Sequence, residues 1–126
     1  EAMGLPLMAP LSMHTNIPMV VARKRQYGLQ GEIEINQETG YSKGSIFLND
    51  IKPGEKIAII DDVLSTGGTI RSVIEGVKKT GALIPNIVVV VEKGHGLKVL
   101  QDDYPDIKFD SLVKLKMEGE KVVILD

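Results

Sequence analysis

Apolar residues recur along this 126-residue chain in three rhythms, and each rhythm predicts an element. Residues 57–60 ("IAII") and 86–91 ("NIVVVV") run without polar alternation, as strands do when a parallel sheet is covered on both faces. Residues 17–22 ("IPMVVA") predict another short buried strand, ending in the basic cluster Arg23, Lys24 and Arg25. The second rhythm is helical. Ile70, Val73, Ile74 and Val77 keep the i, i+3, i+4, i+7 spacing, with Thr69 expected as the N-cap, Lys78 and Lys79 at the negative C-terminal end, and Gly81 in the left-handed stop position. Leu7, Met8 and Leu11 lie near the same spacing, and Pro6 suits a first turn; Pro10, at an interior position, leaves the start of this helix open. The third rhythm is strict alternation in "GEIEI" (31–35), a half-exposed strand. A polar, glycine-punctuated loop at 36–44 and a returning strand at 45–49 ("SIFLN") complete a long, flexible β-ribbon. "KPGEK" predicts a turn. Beyond the "KGHG" loop come a weak helix or turn over 97–103 and two short strands at 109–115 and 121–126.

The order of these elements predicts a single α/β domain over residues 1–126: a doubly wound, mainly parallel sheet with a β-ribbon and a short antiparallel addition at the C-terminal end. The opening "EAMGLPL" reads as the end of a strand-to-helix loop whose strand lies upstream, so the domain is expected to be N-terminally incomplete. The absence of cysteine excludes disulfides, thiolate metal sites and cysteine nucleophiles. It is compatible with a reducing cytoplasm, the expected location. No apolar run approaches the roughly 18–20 residues that span a bilayer, so no membrane partner is expected. With a net charge of −2, 4% aromatic residues and no tryptophan, a nucleic-acid surface is not expected either. His14 and His95 have no metal-ligand spacing between them.

In open α/β sheets ligands bind beyond the carboxyl ends of the strands. Three such ends carry chemistry here: Arg23 to Arg25, Asp61 with Asp62, and Glu92 with Lys93. After the acids, "LSTGGT" offers backbone N–H groups, hydroxyls and a helix N-terminus, an anion cradle that suits a phosphate monoester. Gly67 and Gly68 remove side chains where the backbone must approach the oxygens. Adjacent carboxylates repel a bare phosphate, so the ligand that satisfies both groups is a phosphate on a hydroxyl-rich body, with a cation bridging: a ribose phosphate. The plainer alternative is that the acids cap a turn which the glycines merely bend.

"IAIIDDVLSTGGT" resembles the signature of the type I phosphoribosyltransferases, which bind 5-phosphoribosyl 1-pyrophosphate (PRPP) and Mg2+. The resemblance implies that Asp61 and Asp62 hold the ribose hydroxyls, with Mg2+ carried on PRPP and water-bridged to the two acids. It implies further that Ser65, Thr66, Gly67, Gly68 and Thr69 bind the 5′-phosphate. "EAMG" is similar to the pyrophosphate loop of the purine members, which implies backbone contacts from Ala2, Met3 and Gly4. "RKRQYGLQGE" is similar to the Arg-Lys of adenine and archaeal hypoxanthine/guanine enzymes, so Arg23 and Lys24 are expected on pyrophosphate; the bland reading is a solvated strand end. "TGYSKG" resembles the tip of the flexible catalytic loop, with Tyr41 and Lys43 closing over PRPP. Two positions depart from the family. Adenine enzymes carry a glutamate directly before that tyrosine, where this chain has Gly40, with Glu38 two residues earlier. Bacterial and human 6-oxopurine enzymes carry an acid where this chain has Ser65. The proton donor is therefore unassigned.

Base choice falls to "VVVVEKG", with Glu92 and Lys93 as candidate purine contacts. Lys93 can donate to a 6-oxo group, whereas adenine presents an amine there; a salt-bridge lysine is the alternative. The expected activity is a purine phosphoribosyltransferase of the hypoxanthine/guanine kind, releasing pyrophosphate and working as a homodimer. An adenine enzyme, or a non-catalytic PRPP sensor of the same fold, are the alternatives.

Overall fold

A computed structural model describes residues 3–39 and 42–125, with side chains described outside 37–43. Its elements are α1 (Leu5–Thr15), β1 (Ile33–Thr39), β2 (Ser42–Leu48), β3 (Ile59–Leu64), α2 (Gly68–Lys79), β4 (Asn86–Lys93), α3 (Gly96–Asp103), β5 (Lys108–Glu118) and β6 (Lys121–Leu125). The main sheet runs β3-β4-β5-β6; the first three strands are parallel and β6 returns antiparallel along β5. Gly119, at a φ of +63°, makes the tight turn that pairs Glu118 with Lys121. This is the expected α/β class with a parallel-dominated sheet and an antiparallel end.

The core forms where the uninterrupted apolar strands meet the apolar stripe of α2. Ile74 and Val77 of that helix are sealed with Ile87 and Val89 of β4, and Leu64 and Leu100 close the upper end. The ribbon β1–β2 is a separate two-stranded sheet whose root lies across α2. It reaches α2 through a notch: a Cβ built on Gly76 would overlap Cδ1 and Cγ1 of Ile35, so the glycine makes room for that side chain as it is placed.

Several expectations need correction. Residues 17–22 form no strand. The one ladder contact near them is the bridge between Arg23 and Phe47, with Arg23 N donating to Phe47 O at 3.0 Å. Pro18 has no N–H to give, and residues 20–22 stand off the unpaired edge of β3, so no ladder forms between them. Between residues 20–22 and β3 lies an apolar cavity of about 120 Å3, lined in part by Val20, Ala22, Ile57, Ile59 and Val77. The ribbon strands run further than expected, to Thr39 and from Ser42, because the cross-strand ladder continues through Gln37–Gly44 and Glu38–Lys43. α2 begins at Gly68, and its N-cap is Gly67 at a φ of +83°, not Thr69. α1 keeps Pro10 inside it and has no buried residue. Over residues 96–103 the weak signal resolves into a regular helix.

Candidate active site

β3 does not stop before the acids. Its pairing with β4 continues to Leu64 opposite Glu92, so Asp61 and Asp62 belong to the strand itself. Parallel pairing thereby holds both carboxylates on the sheet instead of on a loose turn. The Asp62 N–H donates to Asp61 Oδ1 at 3.0 Å, which fixes that carboxylate. Partial burial pushes the Asp61 carboxyl above its usual range, and the negative charge of Asp62 pushes it further; the Asp62 N–H acts in the opposite sense. Further hydrogen-bond donors or positive charge would stabilise this pair of carboxylates. Ribose hydroxyls are such donors.

The chain turns through Ser65 and Thr66, both exposed, into Gly67, which closes the turn in the left-handed region. α2 starts immediately afterwards. Its first-turn N–H groups have no carbonyl within the helix, and the helix dipole adds partial positive charge at the same place. An anion cradle therefore stands directly beside the two acids. Gly4 approaches from the other side: a Cβ on it would lie 3.6 Å from Asp61 Oδ1. Gly4 is also the N-cap of α1, and its carbonyl accepts from Met8 N at 3.0 Å. The structure thus joins Gly4, Asp61 and Thr69 around the mouth of one cavity.

Residues 1–118 match the profile of the phosphoribosyl transferase domain. The chain belongs to this family. Hypoxanthine/guanine phosphoribosyltransferases of Methanotorris igneus and Methanocaldococcus jannaschii are each 50% identical to it over 125 residues, covering 99% of this chain and 68% of theirs. Among solved structures, the adenine phosphoribosyltransferase of Thermoanaerobacter pseudethanolicus superposes with a TM-score of 0.76 at 25% identity, over 90% of this chain and 66% of that one. The Leishmania donovani adenine enzyme gives a TM-score of 0.77 at 27% identity, over 90% and 53%. The chain spans about two thirds of the length of the curated relatives it matches.

The remaining phosphoribosyltransferase positions are less uniformly placed. Arg23 does not point free into a site. Its Nη1 donates to Asn49 Oδ1 at 2.7 Å, its Nη2 to Glu32 Oε1 at 2.6 Å, and its guanidinium lies 4.3 Å from the Tyr27 ring centroid. Glu32 also accepts from Gly28 N at 2.8 Å. Burial tends to raise the Glu32 carboxyl, yet these N–H donors and the Arg23 charge outweigh it and hold the group below its usual range. Lys24 stays exposed beside this clamp, and so does Lys93 at the end of β4. Glu92 turns inward. It is the buried polar residue of the described core, accepting from Ser111 Oγ at 2.8 Å with Lys114 Nζ at 3.6 Å. Met3 is exposed. Ala2 and Tyr41 lie outside the described residues; Lys43 is described only by its backbone, opposite Glu38.

Sequence reasoning missed Glu32, Asn49 and Ser111, which bind the candidate residues Arg23 and Glu92. It also missed Gly76 and Gly96, whose role is to leave room. For Gly76 a signal existed, since it stands on the apolar stripe of α2 between Val73 and Val77. For the others none did, because their partners are distant in the chain.

Proposed function

We propose that this protein transfers the 5-phosphoribosyl group of PRPP to a 6-oxopurine, hypoxanthine or guanine, releasing pyrophosphate. The observation that carries the proposal is the junction of β3 and α2, where two carboxylates, a glycine-closed turn and a helix N-terminus form one surface. In this reading Asp61 and Asp62 accept from the ribose hydroxyls, and residues Ser65 to Thr69 hold the 5′-phosphate. Met3, Gly4 and Lys24 face the pyrophosphate, together with Ala2. Tyr41 and Lys43, on the ribbon, cover the reacting sugar. Such closure matters because an oxocarbenium-like sugar open to water is hydrolysed.

The donor set suits Mg2+. The hard carboxylate oxygens of Asp61 and Asp62 would hold, through bridging water, an ion carried on PRPP. When bound, Mg2+ supplies charge stabilisation to the departing pyrophosphate. The protein's own share is positioning, which holds the anomeric carbon in line between base and leaving group.

The choice of base rests on Lys93, exposed at the end of β4 and free to donate to a 6-oxo group, and on the two archaeal relatives named as hypoxanthine/guanine enzymes at 50% identity. Adenine transfer is the second reading, favoured by the names of the structural neighbours at 25% and 27% identity. A cytoplasmic homodimer completes the proposal. The deciding experiment is an assay of the full chain with PRPP and Mg2+ against hypoxanthine, guanine, xanthine and adenine. Turnover of hypoxanthine and guanine is expected. Turnover of adenine alone overturns the role of Lys93, and tight PRPP binding without turnover of any base identifies a sensor. Asp62→Asn should weaken PRPP binding about 10- to 100-fold, as loss of hydrogen bonds to a charged group does, and leave the melting temperature nearly unchanged. A large fall in melting temperature instead would mean that the acids merely cap a turn.

A further inference from the structure

The phosphate loop has a back as well as a front. Gly96, the first residue of α3, lies so close behind it that an added Cβ would overlap the Ser65 carbonyl oxygen and stand 2.8 Å from the Thr66 carbonyl carbon. Its N–H donates to that same Ser65 oxygen across 3.1 Å. One turn further along α3, Leu100 is completely buried, with its Cδ1 3.0 Å from where a Cβ on Gly67 would be. Each glycine makes room for the other's element. The far end of α3 is fastened to α2 as well. Arg71 pairs with Asp103, and Tyr104, just past the helix, donates its hydroxyl to Glu75 Oε1 at 2.6 Å.

We infer that α3 sets the shape of the phosphate loop, and that Gly96 and Leu100 are positioning residues for the 5′-phosphate although neither touches it. The inference rests on the proposed function, since it takes this loop as the phosphate's seat. The link is the planarity of the peptide unit. In a trans peptide the Ser65 carbonyl and the Thr66 N–H point in opposite directions. A Ser65 carbonyl drawn back onto Gly96 aims the Thr66 N–H forward, away from α3. A methyl group at position 96 must tilt that plane, and the N–H turns through the same angle. An amide cradle selects a tetrahedral anion only when its N–H groups converge, so a small tilt is felt in affinity. Leu100 fixes the next corner, because Gly67 has no side chain to hold itself in place.

The test compares wild type with Gly96→Ala, Leu100→Val and, as a control on the exposed side of α3, Val99→Ala. The readouts are ribose 5-phosphate affinity by calorimetry, KM for PRPP, KM for the base, kcat and the melting temperature. Gly96→Ala is expected to weaken ribose 5-phosphate binding and raise KM for PRPP together, by about tenfold or more, as displacements of this size do at binding sites. KM for the base and kcat at saturating PRPP should stay as in wild type. Leu100→Val should move the same two quantities in the same direction by a smaller factor, and Val99→Ala should move neither. Folded Gly96→Ala and Leu100→Val proteins that melt lower but bind ribose 5-phosphate as wild type does would overturn the inference, leaving α3 a purely structural role. If Gly96→Ala does not fold, Leu100→Val decides alone. A wild-type chain that binds neither ribose 5-phosphate nor PRPP sinks the functional reading and this inference together; wild-type binding matched by both variants sinks the inference only.

Discussion

α1 and α2 have nearly the same length but stand in opposite relations to the rest of the molecule. α2 carries a clean apolar stripe and buries five residues, Ile74 completely among them. α1 is mostly apolar without a distinct stripe, contains Pro10, buries nothing and, among the described elements, packs chiefly on β3. The proposed phosphate side of the site therefore rests on packed core. On the proposed pyrophosphate side, α1 and residues 17–22 lie beside a cavity, and the ordered anchor is Arg23, bridged to Phe47 and clamped by Asn49 and Glu32. In the proposed reading the phosphate seat is built on packed core, whereas the opposite wall is set by the approach of Gly4 to Asp61.

The largest test of that contrast is truncation in each helix. Ile74→Ala should cost about 2–5 kcal/mol in urea unfolding, since a sealed core site collapses poorly around the loss. Leu11→Ala on α1, 41% exposed, should stay within about 0.5 kcal/mol. Comparable losses would show that α1 is as integral as α2. A smaller loss is expected from Glu32→Gln, which removes the anchor of the Arg23 clamp and leaves a guanidinium without its counter-charge. The sign of its pH dependence follows from the depressed carboxyl. Its contribution is complete above the usual carboxylate value of 4.5 and is lost as pH falls below it toward the folded value, so wild type and variant should converge in acid melts. Curves that stay parallel down to pH 3 would remove Glu32 from the account. Asp61→Asn should act the other way. The folded carboxyl titrates above its usual value, so its charge costs stability at neutral pH and the cost disappears as pH falls through that raised value. The variant should melt slightly higher than wild type at pH 7, match it in acid, and bind PRPP more weakly. A lower melting temperature at pH 7 would mean that the Asp61 carboxylate stabilises the fold. The smallest effect belongs to Asp103→Asn, which cuts a half-exposed ion pair and should cost about 0.2–1 kcal/mol, less in high salt.

What could be read from the chain depended on how locally each feature is encoded. β3, the paired acids, the glycine turn and α2 follow one another within 21 residues, and every cue agrees there, from apolar run to helical period. Thr69 was a reasonable cap by residue type, yet Gly67 takes the place because the turn needs a positive φ before the helix can start. Residues 17–22 have the composition of a buried strand, but a strand is made by pairing, and a cavity separates them from the edge of β3. Arg23 looked like a cation awaiting an anion; the carboxylate that occupies it comes from Glu32, in a stretch that reads only as alternating strand. Gly96 looked like loop punctuation, and only the approach of Ser65 from 31 residues earlier shows why nothing larger fits.

The one-sided pairing of β3 has a consequence for the handling of the protein. A strand edge left unpaired among the described residues is a template on which a sister molecule can lay its own backbone, and concentration favours that encounter. The two aspartates near the end of this strand would oppose it, because a copy aligned in the same direction brings four negative charges together, and salt or acid would relax the repulsion. The carboxylates proposed to greet the sugar would then also keep molecules apart.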